Sequence, residues 1–146
     1  MKLSRKGEYA LRAMIVLARH YGEGFLQIRE IAERENIPRK FLEQILLELN
    51  RAGLLEGRRG PGGGYRLIKA PAEVTLAQIV RIIDGPLAPL SCVSKTAHVK
   101  CPDQRKCGLY GVMHDVRDAI AEILEGVSLA DICPKGKARA KAETTR

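Results

Sequence analysis

The chain has 146 residues, of which 45% are hydrophobic, and a formal net charge of +8 at pH 7. A chain of this length can bury about 68–70% of its unfolded surface, so it can form one domain without disulfide bonds. No apolar run approaches the roughly 20 residues that cross a bilayer, and Arg12 and Arg19 interrupt the first apolar segment, so we expect a cytoplasmic protein with no membrane partner.

Positive charge is concentrated at the two ends of the chain. Residues 1–70 hold 14 basic and 8 acidic side chains, a net +6, and residues 135–146 hold 5 and 1, a net +4. Residues 71–134 hold 6 and 8, a net −2. This split favours a polyanionic partner, because neutralising phosphates supplies most of the nonspecific affinity of a protein for DNA.

The first 53 residues predict a helix followed by a helix–turn–helix. Apolar spacing places the first helix at about residues 4–21, and Gly22 ends it. The segment 36–38, which ends in a proline, separates the next two helices, and Gly53 favours a left-handed cap after the last. The apolar positions expected to face the core are Leu11, Met14, Ile15 and Ala18, then Ile28, Ile31 and Ala32, then Leu42, Ile45, Leu46 and Leu49.

The outward face of the third helix carries side chains that can read DNA bases. Lys40 and Gln44 point away from the core, and Arg39 and Glu43 flank them. Gln44 can pair with adenine, Glu43 can accept a hydrogen bond from cytosine, and Lys40 suits guanine or phosphate. On this helix alone, an ordinary solvated face in which Arg39 and Glu43 form an i,i+4 ion pair remains an alternative.

A glycine-rich string at residues 58–65 lies between strand-like segments at 54–55 and 65–68. Its bare backbone, Gly60 included, can approach a phosphate closely. It is not a nucleotide-binding phosphate loop, because no Gly-Lys-Ser/Thr follows and the string leads into a strand. A basic hairpin after a helix–turn–helix predicts a wing that contacts the DNA backbone or the minor groove. The arginines of this predicted wing are Arg58, Arg59 and Arg66.

After the wing, the sequence predicts a helix that opens at Thr75 and stops at residues 84–86. The stretch 85–107 then contains three prolines, little periodicity and three of the four cysteines, and loops of this length are usually functional or disordered. The cysteines are separated by eight and five residues, unlike zinc ribbons or ferredoxins. Spacing alone leaves a metal or cluster site, a thiol switch, or incidental cysteines. The residues are Cys92, Cys101 and Cys107, with His98 or His114 able to complete a zinc site.

The segments 3–14, 41–46 and 59–65 resemble those of the iron–sulfur and thiol-based transcription regulators of the IscR, NsrR and CymR type. The likeness continues through the cysteine loop to residues 128–132. It implies a winged helix–turn–helix and a homodimer in which the helix that begins near Leu109 crosses its twin. It also implies either a [2Fe-2S] or [4Fe-4S] cluster on the three loop cysteines with a non-cysteine fourth ligand, or a metal-free thiol switch.

The fourth cluster ligand is where the sequence departs from one branch of this family. The [2Fe-2S] branch has a histidine three positions after the last loop cysteine, and here that position is Tyr110. The nitric-oxide-sensing branch uses an acidic residue near the start of the first helix, and Glu8 falls there. The resemblance therefore implies Glu8 as the first candidate, with His114 and His98 behind it. Cys133 is not expected to be a ligand.

We therefore predict a mainly α protein with a small β-hairpin wing: a winged helix–turn–helix domain at 1–84, a cluster-binding loop at 85–108, a dimerisation helix region at 109–133 and a disordered basic tail at 134–146. The predicted function is a homodimeric regulator that binds pseudo-palindromic double-stranded DNA under the control of an iron–sulfur cluster. A metal-free thiol-based or zinc-containing regulator is one alternative, and an iron–sulfur electron-transfer or carrier protein is another. An enzyme is not expected, because the sequence has no nucleophile–base constellation.

Overall fold

Three helices at the N-terminus of the computed structural model, which describes residues 3–95 and 97–133, form a helix–turn–helix unit. The left-handed residue Asn36 (φ 52°) ends the second helix, and Pro38 is the N-cap of the third. Gly53, with φ 84°, follows the third helix as predicted. The three helices are α1 at Arg5–Arg19, α2 at Ile28–Glu35 and α3 at Arg39–Arg51.

The buried face of α1 is wider than the sequence predicts. Met14 and Ala18 are buried as expected, but Leu11 and Ile15 are only half-buried. The helix packs against α3 on one side and against the later helices of the chain on the other, so its apolar surface is covered from two directions. The additional buried positions are Ala10, Ala13, Val16 and Leu17.

The predicted wing is an antiparallel hairpin of β1 at Leu55–Arg58 and β2 at Gly64–Leu67. A third short piece of chain joins it, because Leu26 forms an antiparallel bridge with Tyr65 through two N–H···O bonds of 2.9 Å. Gly64 makes this bridge possible: its φ is 137°, and a Cβ there would overlap the Leu26 carbonyl oxygen. The bridge ties the wing to the segment that enters α2.

The helix after the wing, α4 at Leu76–Ile83, begins at the expected residue. Thr75 caps it, and Gln78 completes a capping box by accepting a hydrogen bond from the Thr75 N–H. A short 3-10 helix at Pro71–Glu73 precedes it. The predicted irregular loop follows, and in its described part the only helical segment is a 3-10 helix at Ser91–Val93.

The C-terminal region consists of the long helix α5 at Tyr110–Gly126 and the short helix α6 at Leu129–Ile132. Ile120 and Leu124 of α5 pack on Ala77 and Val80 of α4 and on Leu87, which follows α4. Other apolar side chains of this region stay exposed, with Leu109 at 58%, Val112 at 57% and Ile123 at 63%. α5 therefore has an uncovered apolar face on the single chain.

The chain adopts the predicted architecture, mainly helical with a two-stranded wing. The predicted disordered tail at 134–146 lies outside the described residues. Within the described ranges, no helix combines the length and apolarity that crossing a membrane would require.

The Leu26–Tyr65 bridge predicts a specific sensitivity at Gly64. Replacing Gly64 by Ala should lower the free energy of unfolding by about 2 kcal/mol or more, because the strained φ and the overlap with the Leu26 carbonyl add together. Gly62→Ala is the matched control, since Gly62 also has a positive φ (74°) but open space around it, and should cost only about 1 kcal/mol. Urea unfolding measures both, and equal losses would contradict this role of the bridge.

Candidate nucleic-acid interface and cysteine loop

The outward face of α3 presents the side chains that the sequence assigns to base reading. Lys40, Glu43 and Gln44 are all exposed. Arg39 Nε lies 3.5 Å from Glu43 Oε1, so the predicted i,i+4 ion pair is present. Exposed pairs of this kind contribute only a few tenths of a kcal/mol, so DNA contacts can readily replace it.

The three predicted wing arginines have different surroundings. Arg66 donates from Nε to Glu56 Oε2 at 2.8 Å, and its guanidinium lies 4.4 Å from the centroid of the Phe25 ring. Arg58 lies over the same ring at 5.7 Å. Arg59 and Gly60, at the wing tip, are exposed. Arg66 therefore already contacts Glu56 of β1 and Phe25, which precedes α2.

A cleft of about 510 Å³ separates the wing from the helix–turn–helix. Arg58, Arg59 and Arg39 line it, as predicted DNA-contacting residues, whereas Arg66 does not. We call this space the wing cleft. Its other lining residues are Gln27, Ile28 and Arg29 from the start of α2, Leu47 and Asn50 from α3, and Gly57, Gly60, Gly63, Gly64 and Tyr65 from the wing.

Sequence reasoning missed Arg29 as part of this surface. Arg29 belongs to the first turn of α2 and is exposed. No local pattern around it indicates a DNA contact. It lines the wing cleft because the backbone bridge between Leu26 and Tyr65 brings the start of α2 beside the hairpin.

The loop cysteines have unequal exposure. Cys92 lies in the 3-10 helix and is half-buried, Cys101 is half-buried, and Cys107 is exposed. Cys133 is buried, with Sγ 3.4 Å from the Ile15 carbonyl oxygen. Across the described residues, no three or more His, Cys, Asp or Glu side chains are grouped so that they could hold a metal ion.

The predicted ligand set of Cys92, Cys101, Cys107 and Glu8 is therefore not gathered in this arrangement. Glu8 is exposed in the first turn of α1, where Arg12 Nη1 lies 3.8 Å from its Oε1. Arg12 also pairs with Glu35 at the end of α2, with Nε 3.2 Å from Oε2. The Arg12 guanidinium therefore contacts both Glu8, the candidate fourth ligand, and Glu35 of α2.

The two histidine candidates differ in how their rings are held. His114 Nε2 accepts from Arg117 Nη2 at 2.9 Å, and Nδ1 lies 3.5 Å from Asp118 Oδ2, so both ring nitrogens have partners. His98 is exposed. Hydrogen bonding from Arg117, reinforced by its positive charge, holds the pKa of the Asp118 carboxyl below its usual value despite some desolvation.

Arg117 also anchors the cysteine loop to α5. Its side chain is only 11% exposed, and Nη1 donates to the Val93 carbonyl at 2.7 Å. Val93 is the last residue of the 3-10 helix that contains Cys92 and is itself buried. A charge-assisted hydrogen bond from the long helix thus holds the 3-10 helix that carries Cys92.

Comparison with known proteins gives a consistent set of relatives. The model of the family named Rrf2 and described as iron-dependent transcriptional regulators matches residues 3–135. An HTH-type, rrf2-like transcriptional regulator of Rhodobacter capsulatus is 39% identical over 145 residues, which cover 95% of this chain and 97% of that protein.

Two solved structures are similar over nearly their whole length. CymR, the global cysteine regulator of B. subtilis, matches with a TM-score of 0.74 and 34% identity, over 91% of this chain and 96% of that one. IscR of T. potens matches with a TM-score of 0.72 and 31% identity, over 94% and 89%. The family resemblance and the winged-helix fold expected from the sequence are both confirmed.

The Arg117 anchor predicts how fast Cys92 reacts. In Arg117→Ala, the loss of the bond to Val93 should raise the alkylation rate of Cys92 about tenfold, because one charge-assisted hydrogen bond contributes about 1.5–3 kcal/mol and its loss increases local opening. Iodoacetamide labelling read by mass spectrometry measures each cysteine separately. Arg105→Ala removes the same charge without this contact and is the control. Equal rates in the two variants would show that Arg117 does not position Cys92.

Proposed function

Because this chain belongs to the Rrf2 family of transcriptional regulators, we propose that it acts as a homodimer whose affinity for DNA depends on the chemical state of its loop cysteines. Members of this family are transcription regulators rather than enzymes, and they bind DNA and act as dimers. The observation that carries the proposal for this chain is the pairing of an exposed polar face on α3 with an arginine-lined wing on one side of the molecule.

In this proposal, α3 and the wing contact different parts of the DNA. α3 enters the major groove, where Lys40, Glu43 and Gln44 contact base edges. Arg59 at the wing tip contacts the minor groove or the backbone and positions the protein. One short helix and one wing make few base contacts, so two copies on a pseudo-palindromic operator multiply the specificity.

The uncovered face of α5 supports the dimer. Leu109, Val112 and Ile123 are each more than half exposed, although they follow the helical spacing of a buried stripe. Contact with α5 of a second copy removes this apolar surface from water, and each square ångström so buried contributes about 25 cal/mol. The dimer then holds α3 and the wing of one copy at a fixed distance from those of the other.

A chain of contacts connects the cysteine loop with the reading helix. Asp84 ends α4 immediately before the loop and accepts a hydrogen bond from the Ser4 N–H at 2.9 Å, and the Ser4 hydroxyl also bonds to Asp84. At Gly7 a Cβ would overlap the Asp84 carboxylate, so α1 lies directly against it. Lys6 of α1 then forms an ion pair with Glu48 of α3. A displacement at the start of the loop is thereby transmitted to α3 through the first turn of α1.

The first form of this control is an iron–sulfur cluster, as the three-cysteine loop and the family's iron-dependent description suggest. Cys92, Cys101 and Cys107 would supply thiolates and Glu8 a carboxylate. A cluster supplies a centre that reacts with oxidants or nitric oxide. The described arrangement does not fit such a group, so residues 85–107 must rearrange before these donors can meet.

The second form is a metal-free thiol switch. The ungrouped cysteines favour it, and so does the similarity to CymR, the cysteine regulator, which has also been solved in an oxidized form from Staphylococcus aureus at 32% identity and a TM-score of 0.67. Exposed Cys107 is the thiol most open to oxidants. An electron-transfer or carrier role leaves the wing without a purpose and has no such support.

One experiment tests the proposal and separates its two forms. The protein purified without oxygen is expected to bind duplex DNA with an affinity that changes at least fivefold when the loop thiols are oxidised, alkylated or loaded with a cluster, the lower end of typical allosteric coupling. Visible absorption with iron and sulfide content distinguishes a cluster from free thiols. Cys107→Ser should abolish the response, because Cys107 is a proposed thiolate ligand in the first form and the exposed thiol in the second, and Cys133→Ser is the control that should retain it. Identical DNA affinity in every state would rule out cysteine control.

The reading face gives a separate prediction. Gln44→Ala should relax the preference at one base position, because a good bidentate contact contributes about 1–3 kcal/mol of discrimination. Arg59→Ala should weaken binding to all sequences alike, because it removes a backbone contact. Binding to a randomised duplex library, read by sequencing, measures both effects. A uniform loss across all sequences in both variants would contradict these different roles of α3 and the wing.

A further inference from the structure

The wing cleft has an unbalanced charge. Four arginines line it, and none of its lining residues is acidic. Arg39 is paired with Glu43, and Arg58 lies over Phe25. Arg29 and Arg59 form no ion pair with any described residue. Four guanidinium groups around one space repel each other, so the cleft is suited to an anion.

The position of the cleft indicates which anion reaches it. α3 forms one wall through Leu47 and Asn50, and the wing forms the other through Arg58 and Arg59. A duplex that is contacted by both α3 and the wing must carry its sugar–phosphate backbone past the space between them. The side chains of Gln27 and Asn50 add amide donors to the arginines at this point.

We propose that the wing cleft binds a phosphate of the DNA backbone and that Arg29 of α2 is one of its direct contacts. This inference rests on the proposed function and adds a third element to the two that the winged-helix pattern provides. Arg29 lines the cleft and forms no ion pair with a described residue, and its planar donors match phosphate oxygens. Arg66, by contrast, does not line the cleft and pairs with Glu56.

The test compares an arginine that lines the cleft with an arginine that does not. Arg29→Ala and Arg51→Ala each remove one positive charge from an exposed helix position, and Arg51 lies outside the cleft and forms no ion pair with a described residue. Binding to a fluorescent 30-base-pair duplex of arbitrary sequence is measured over a range of salt concentrations, since phosphate contacts do not depend on sequence.

Arg29→Ala should weaken binding about tenfold and reduce the slope of log affinity against log salt by about 0.9, the value for one lost phosphate contact. Arg51→Ala should leave the slope unchanged. Arg29→Lys keeps the charge and should restore most of the slope. This rescue, together with an unchanged melting temperature, shows that Arg29→Ala does not act through misfolding.

Three results would overturn the inference in different ways. Equal changes in Arg29→Ala and Arg51→Ala, with normal binding by the wild type, would show that Arg29 contributes only its general charge. Calorimetric binding of inorganic phosphate that Arg29→Ala abolishes, with DNA affinity unchanged, would assign the cleft to a free anion instead. Failure of the wild type to bind any duplex would overturn both this inference and the proposed function.

Discussion

The backbone bridge between Leu26 and Tyr65 determines the geometry of the whole reading surface. Without it, the wing is a two-stranded hairpin, and isolated hairpins of that size are at best marginally stable in water. With it, the start of α2 lies beside the wing, and the space between them becomes the wing cleft. The glycine-rich string therefore has two roles. Gly64 permits the close approach of Leu26, whereas Gly62 permits a turn in open space.

Local chemistry predicted most of the fold. Thr75 before α4, Gly53 after α3, and the 36–38 turn are signals that act over a few residues, so the sequence alone placed α2, α3 and α4. The wing cleft depends on a pairing between residues 39 positions apart, and no local pattern encodes it. For that reason the sequence did not single out Arg29 as a lining residue of the wing cleft, nor show that Arg66 lies outside it and pairs with Glu56. The assignment of Arg66 to DNA stays a prediction.

The sequence showed where the cysteine loop lies but did not predict its conformation. It has little periodicity, and its described hydrogen bonds are mostly short-range turns, such as Gln104 to Cys101. Loop conformation is then decided by a few long-range contacts, of which Arg117 to Val93 is the best defined. Ligands that come from separate segments, such as Glu8 and the loop cysteines, cannot be brought together by any rule of spacing. The proposed cysteine control needs such a loop, because a segment with few long-range contacts rearranges at a low free-energy cost.

The proposed control of DNA binding by the loop has a short path through α1. α1 contacts Asp84 at the entrance of the loop through Ser4, and it contacts α3 through Lys6 and Glu48. Both contacts lie at the start of one helix, so a shift of that helix end would reach α3 directly. Typical allosteric coupling is about 1–3 kcal/mol, which changes affinity 5–150-fold, and this is the scale of one or two hydrogen bonds to a charged group. Breaking and remaking the Ser4–Asp84 contact alone is therefore large enough to change the occupancy of an operator.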